Sequence, residues 1–467
     1  MKQLTGLDSA FLWGETSTQY QHIGGIGIYD PSILPDQPLR FQQILEHING
    51  RLDRSPLFRR KLARVPFELD RPYWVEDDSL DLEFHVRHIA LTAPRDWRQL
   101  MIDTCRLHAR PIDLTRPPWE IWIIEGLDNV DGVPPGSFAV LYKLHHSAVD
   151  GIAGAQMVDV LHDHQADRPD DLSIEPIPAA VTPGTAQMLG KAALNAIALP
   201  FRLGRTLYGS LPIIRETLYR GAREMPLFPG TVPSTPLNRK VGAHRVHDSC
   251  TFAISDLRDM KGHVKGATIN DVVIAIVGGA LRNYLSKHGN LPEASLVAGC
   301  PISIRVEGDG GNQAIFAMVA TGTEIADPVE RLESVQRITS AKKEFTHAVP
   351  AHKLLEYVDY APSALGAVAA RTYSKIGLAN RHRPFLNTII TNVPSSRVPL
   401  FFCGAPMLHY EAWGPVWDGL GLIHPVTSYR GQLTISFDAD RDLLPDPAVY
   451  RECLRQSYDS LRQATSA

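Results

Sequence analysis

The run His145-His146-Ser147-Ala148-Val149-Asp150-Gly151 stands where one hydrophobic pattern stops and another begins. Upstream, Trp119 to Leu127 and Phe138 to Leu144 are rich in Ile, Val, Phe and Trp. Between them lies Asp128-Asn129-Val130-Asp131-Gly132-Val133-Pro134-Pro135-Gly136, a series of turn formers, so the two runs read as an antiparallel pair. Downstream of Gly151, the spacing of Ile152, Met157, Val158 and Leu161 predicts a helix with one buried face. The histidines therefore sit where a buried strand ends and a helix begins. Such a junction holds side chains on rigid elements while leaving them open to a cavity.

A histidine there suits general-base work, because its ordinary pKa of about 6.5 lets it take a hydroxyl proton near neutral pH. Asp150, four residues on, is placed to turn back onto a backbone group or an arginine. Gly151 permits a backbone angle or a close approach that a Cβ would forbid. An arbitrary histidine pair more often satisfies hydrogen bonds at a strand end. A metal site is disfavoured, since it would want a His-x-x-x-His or Glu-x-x-His pattern, whereas the adjacent His145 and His146 point to opposite faces of a strand. A serine hydrolase using Ser147 would want a Gly-x-Ser-x-Gly elbow, which the chain lacks.

The chain has 467 residues, enough for two domains. Its apolar fraction of 44% and charged fraction of 21% are those of a globular protein. A net charge of −4 gives no basic excess, so nucleic acid is not an expected partner. The five cysteines are scattered with no CxxC pair, which predicts reduced thiols in a cytoplasmic protein. No signal peptide is expected, and no apolar run approaches the roughly 18 residues that span a bilayer.

Three regions follow. Residues 1–166 are mixed α and β and carry the histidine run. Residues 167–245 form a connector whose prolines, at 176, 178, 183, 200, 212, 226, 229, 233 and 236, argue against a long uninterrupted helix. Short helices are expected there over Thr185–Leu199 and Pro212–Glu224. Residues 246–467 are again mixed. Asn270 to Lys287 reads as a helix stopped by Gly289. Leu296–Ile304, Ile315–Thr323, Asn387–Thr391 and Leu433–Phe437 read as strands, and Asp446-Pro447 opens a last helix to about Arg462.

The pattern His-His-x-x-x-Asp-Gly resembles the active-site signature of the CoA-dependent acyltransferase superfamily. Further segments are similar to the bacterial wax ester synthase/diacylglycerol acyltransferase family: Leu7-Asp8-Ser9-Ala10-Phe11-Leu12-Trp13-Gly14-Glu15, then His22-Ile23-Gly24-Gly25. Arg116-Pro117-Pro118-Trp119-Glu120 resembles that family's Pro-Leu-Trp element, departing at its middle position, and Thr268-Ile269-Asn270-Asp271 its Asn-Asp element. Pro301-Ile302-Ser303-Ile304-Arg305, Gly311-Asn312-Gln313, Thr391-Asn392-Val393-Pro394 and Ser428-Tyr429-Arg430-Gly431 fall in the family's order, so the resemblance spans nearly the whole chain.

The resemblance implies two chloramphenicol-acetyltransferase-like α/β domains, each a mixed sheet with flanking helices, with the active site in a tunnel between them. It implies His146 as general base, with His145, Asp150 and Gly151 shaping the turn. It implies transfer from fatty acyl-CoA, a substrate rather than a cofactor, to diacylglycerol or a long-chain alcohol, giving triacylglycerol or wax ester. Asn270 and Asp271 have two readings: a helix cap with Thr268, or a group that positions substrate or donates to an oxyanion. Trp119 likewise reads as core packing or as tunnel lining. Asn392 reads as a turn residue. Competing readings are a different acceptor (a short-chain alcohol, a sugar or a carrier-bound thiol) or a non-catalytic lipid-surface protein. Between Lys191 and Glu224, basic and apolar residues are mixed, a composition suited either to a solvated helix face or to peripheral contact with the inner membrane or a lipid droplet.

Overall fold

The two runs before the histidines form the strands Trp119–Glu125 and Phe138–His145, paired antiparallel with Trp119 opposite Leu144. Both faces of this pair are buried. Phe138, Val140, Tyr142 and Leu144 face one apolar cluster, while Ala139 and Leu141 face another. That two-sided burial explains the nearly unbroken apolar sequence.

The computed structural model describes residues 2–34, 39–148, 153–166, 183–224, 232–303, 314–346, 363–393 and 396–466. Its first six-stranded sheet, here the N sheet, runs in the order Phe401–Phe402, Ala405–Trp413, His22–Tyr29, Phe138–His145, Trp119–Glu125, Val86–Ala90. The second, the C sheet, runs Ala314–Ala320, Val297–Ser303, Thr388–Val393, Leu422–Tyr429, Gln432–Asp440, Arg245–Ala253. A small sheet joins Lys2–Gln3, Tyr73–Glu76 and Arg60–Ala63. Helices Ile269–Lys287 and Pro447–Ser466 pack together, and their apolar faces share one core with the C sheet. The fold is thus mixed α/β with two sheet-centred halves.

Several elements match the sequence pattern closely. Ile269–Lys287 opens on a capping box in which the Thr268 side chain accepts from the Asp271 N–H and Asp271 accepts from the Thr268 N–H. Gly289, with φ of 67°, lies just past the helix end. Ala153–Leu161 buries Met157, Val158 and Leu161. The last helix is Pro447–Ser466, four residues longer than expected.

Three expectations need correction. The connector holds one 40-residue helix, Thr185–Glu224, which runs through Pro200 and Pro212. An interior proline removes one hydrogen bond and costs roughly 3 kcal/mol, but Pro200 lies on an exposed face where water can satisfy the Ala196 carbonyl. Residues 401–413 do not stay with the C-terminal sheet, since Ala405–Trp413 pairs antiparallel with His22–Tyr29 in the N sheet. Asn392 is no turn residue but a strand position opposite Val426.

This borrowed strand ties the halves together through buried charge. His247 and Asp438, on the C sheet, meet Glu411 on the borrowed strand. His247 Nδ1 lies 2.7 Å from Asp438 and Nε2 lies 3.2 Å from Glu411. The imidazole stacks on Trp413 at 3.9 Å between centroids. Burial alone would lower the His247 pKa, but the two carboxylates outweigh it and raise it to about 10. Burial pushes Glu411 up, yet His247 overcomes this and holds its carboxyl well below the usual range.

Candidate active site

The strand Phe138–His145 ends because His145 donates its backbone N–H to the Pro118 carbonyl and the chain then tightens into the turn His146–Ala148. The two histidines leave this point in different directions and environments. The His145 ring is fully buried. Its Nδ1 accepts from the Ser147 N–H at 3.1 Å and lies 2.7 Å from the Ser147 hydroxyl, which assigns the ring proton to Nε2. That Nε2 stands 3.1 Å from Glu15 Oε1, without the direction of a good hydrogen bond.

His146 is held differently. Its backbone N–H donates to the Gln21 carbonyl at 2.7 Å, and its ring stacks on Phe11 at 3.8 Å with planes 14° apart. Its ring Nδ1 is buried without a hydrogen-bond partner among the described residues, while the residue as a whole stays partly exposed. Burial lowers its pKa to about 4, with nearby His145 adding to the shift and the residue's own carbonyl opposing it. The ring is therefore neutral at physiological pH, with a lone pair free to take a proton.

Glu15 links the two. Oε1 accepts the Gln21 N–H at 3.2 Å while the Gln21 carbonyl holds His146, so one carboxylate fixes the segment supporting the base and touches the neighbouring histidine. Both Phe11 and Glu15 come from Leu7–Glu15, where Asp8 and Thr5 form a cap that sets the start of helix Gly6–Trp13. Sequence reading placed this stretch by resemblance and gave neither residue a role. The signal was an aromatic and an acid four positions apart, which no local rule distinguishes from core and surface. Glu15→Gln is expected to lower kcat about 10- to 100-fold, the cost of a small misplacement, with KM nearly unchanged in steady-state kinetics.

Two glycines explain the segment His22–Gly25. A Cβ on Gly24 would lie 1.9 Å from the Tyr142 carbonyl oxygen, and one on Gly25 would lie 2.6 Å from the Tyr410 hydroxyl. Only glycine lets this strand lie so close to the histidine strand and the borrowed strand.

The other predicted residues separate. Trp119 has no exposed surface; its indole stacks on His85 at 4.3 Å and donates to the Phe58 carbonyl, so its placement is core packing and it presents no surface to a channel. Both Asp271 oxygens are engaged, one by Thr268 and one by the Thr339 hydroxyl at 2.7 Å. Asn270 is half-buried at the first turn of its helix, and its amide has no hydrogen-bond partner among the described residues. None of the described hydrogen bonds joins it to His146. Asp150, Gly151, Arg305, Gly311–Gln313 and Pro394 lie outside the described residues.

Residues 4–273 match the wax ester synthase/diacylglycerol acyltransferase catalytic domain, and residues 310–462 match the C-terminal domain of the same family. The chain belongs to that family. It is an acyltransferase. A putative diacylglycerol O-acyltransferase of Mycobacterium tuberculosis is 33% identical over 98% of this chain and 91% of its own length. The O-acyltransferase WSD of Acinetobacter baylyi is 30% identical over 95% and 93%. Among solved structures, the wax ester synthase/diacylglycerol acyltransferase from Marinobacter aquaeolei VT8 superposes over the full length of both chains with a TM-score of 0.68 at 23% identity, which supports the shared fold.

Proposed function

We propose that this acyltransferase moves a fatty acyl group from CoA to diacylglycerol or a long-chain alcohol, with His146 as general base and no covalent acyl-enzyme. The observation that carries the reading is the state of His146: a neutral ring stacked on Phe11, its backbone N–H held by the Gln21 carbonyl, and its Nδ1 buried without a hydrogen-bond partner among the described residues. The acceptor hydroxyl gives its proton to His146 as its oxygen attacks the thioester carbonyl. The tetrahedral oxyanion then collapses, the C–S bond breaks, and the imidazolium proton passes to the CoA sulfur. Asn270 is the proposed oxyanion donor, supported by its unpartnered amide at a helix N-terminus. Asp150 and Gly151 are proposed to shape the turn, and the site is proposed to open on a tunnel between the halves.

Among the described residues no helix is long and apolar enough to cross a membrane. Because donor and acceptor are both lipids, the same reading has the chain working at a membrane or lipid-droplet surface. The direct test offers purified protein palmitoyl-CoA with hexadecanol and with diacylglycerol in parallel, and follows free CoA. Release with neither acceptor would overturn the proposal.

The pH profile gives a second check. A base works in its neutral form, and His146 becomes protonated only as pH falls through about 4. On this assignment, kcat/KM stays level from about pH 8 down to about 5.5, where an ordinary histidine would already have lost most of its activity. A fall centred near 6.5 would show that the ring is not held as described.

A further inference from the structure

The described residues include eleven exposed large apolar side chains, and eight of them lie on or beside three elements that meet at one place. The turn Pro66–Glu68 is contacted both by helix Thr185–Glu224 and by helix Ser363–Lys375. At this turn Phe67 is 86% exposed, and Leu69 beside it is exposed as well. Phe67 also holds φ 60° and ψ 14°, the left-handed region that a bulky side chain rarely adopts. A phenylalanine kept in a costly conformation and pushed into water points to a use outside the fold.

The long helix supplies the second part. Met188 and Ala192 bury one face against Val65 and Tyr73, and Asn195 donates to Asp70 at 2.7 Å. The opposite face carries Leu194, Ile197, Phe201 and Tyr208 at helical spacing, all exposed, with Phe201 at 75% and Tyr208 at 78%. Helix Ser363–Lys375 adds exposed Val368, and Ile376 follows its last turn.

Charge identifies the partner. Arg202, Arg205, Arg371 and Lys375 are exposed on these two helices and make no ion pair among the described residues, while Lys191 lies over the Tyr73 ring at 5.8 Å. No acidic residue occurs between Thr185 and Arg215 or within Ser363–Lys375. Glu68, at the turn, is matched by Arg64 at 3.5 Å. An apolar stripe flanked by unpaired cations fits an anionic lipid surface, with the rings in the acyl layer and the cations among the headgroups.

We propose that the face built from Phe67, Leu69, the outer stripe of Thr185–Glu224 and the exposed side of Ser363–Lys375 docks on an anionic phospholipid surface, with Phe67 as the inserted side chain. This rests on the proposed use of a lipid acceptor. The face also adjoins the catalytic helix. Ser363–Lys375 packs on Gly6–Trp13, where a Cβ on Gly366 would lie 2.6 Å from the Trp13 ring, and Phe11 of that helix stacks on His146. Docking therefore brings the lipid surface to the side of the molecule that holds the base.

The test is flotation of the full chain with vesicles of phosphatidylcholine containing phosphatidylglycerol, and with phosphatidylcholine alone. Phe67→Asn suits the left-handed backbone, so it removes the apolar ring without straining the fold. The parent is expected to float with anionic vesicles and to detach in high salt. Phe67→Asn combined with Phe201→Gln, and separately Arg202→Gln with Arg205→Gln, should each cut the bound fraction at least about tenfold with an unchanged melting temperature. CoA release with detergent-dispersed hexadecanol should persist in these variants, while release with vesicle-borne acceptor falls in parallel with binding. Undiminished flotation of the variants would overturn the docking face, as would a parent dimer that these substitutions dissociate. A parent that floats but releases no CoA with any acceptor would instead remove the catalytic reading and leave the docking face standing.

Discussion

His146→Ala is expected to lower kcat by about 100- to 10,000-fold while KM for acyl-CoA changes little, the usual range for a lost general base. The ring makes no hydrogen bond to another described residue's side chain and its Nδ1 has no partner, so its removal breaks no side-chain network. What is lost in packing is the stack on Phe11. The substitution should therefore leave the melting temperature within a few degrees of the parent. His145→Ala should behave differently. That ring is buried and bonded to the Ser147 backbone and hydroxyl, so its loss strands polar groups and destabilises the turn itself. A protein with normal stability and no turnover from the first substitution, and reduced stability from the second, separates the two histidines as the geometry does. His146→Ala with more than a tenth of parental turnover would contradict the assignment.

His247→Ala is expected to have the largest effect on stability, about 3–5 kcal/mol, because it leaves Glu411 and Asp438 as buried carboxylates without their cation. The remaining partners are weaker: His409 at 3.5 Å from Glu411, and the Gly414 N–H at 2.9 Å from Asp438. The pH dependence has a definite sign. His247 rises from 6.5 to about 10 on folding, so its contribution is complete below 6.5 and disappears as pH climbs through about 10. Glu411 is depressed below its ordinary 4.5, so its contribution is present above that value and is lost as pH falls through the folded pKa. The His247 and Glu411 contributions together thus favour the fold most between roughly pH 4.5 and 6.5 and still favour it at neutral pH, while burial raises the Asp438 carboxyl, which opposes them above its ordinary range. In the variant the stranded carboxylates can be neutralised by protons, so the deficit should shrink from pH 7 toward pH 5. Urea unfolding at both pH values measures this, and a deficit that grew on acidification would contradict the charge assignment.

The parts of the fold legible in the sequence were those governed by local rules. Thr268 and Asp271 announced a helix start, Gly289 its end, and the apolar runs before His145 a buried antiparallel pair. The long connector helix departs from the expectation because the proline rule is local, whereas the helix runs on through both prolines, Pro200 lying on an exposed face where water can serve the freed carbonyl. The borrowed strand Ala405–Trp413 could not be read at all, since nothing in its residues says which sheet it joins. The same divide runs through the site. His146 stood out by its pattern. Phe11 and Glu15, from far earlier in the chain, acquire meaning only when the N-terminal helix is packed against the histidine turn. Trp119 shows the converse, a residue marked by resemblance whose side chain is spent on packing.

The most direct test of direct acyl transfer is rapid mixing of the protein with palmitoyl-CoA alone and then with hexadecanol or diacylglycerol, following thiol release and the mass of the intact protein. Direct transfer predicts no CoA and no added mass before the acceptor arrives. It then predicts one ester formed for each CoA released, and almost none from His146→Ala. A burst of CoA matched by an acylated protein in the absence of acceptor would contradict it.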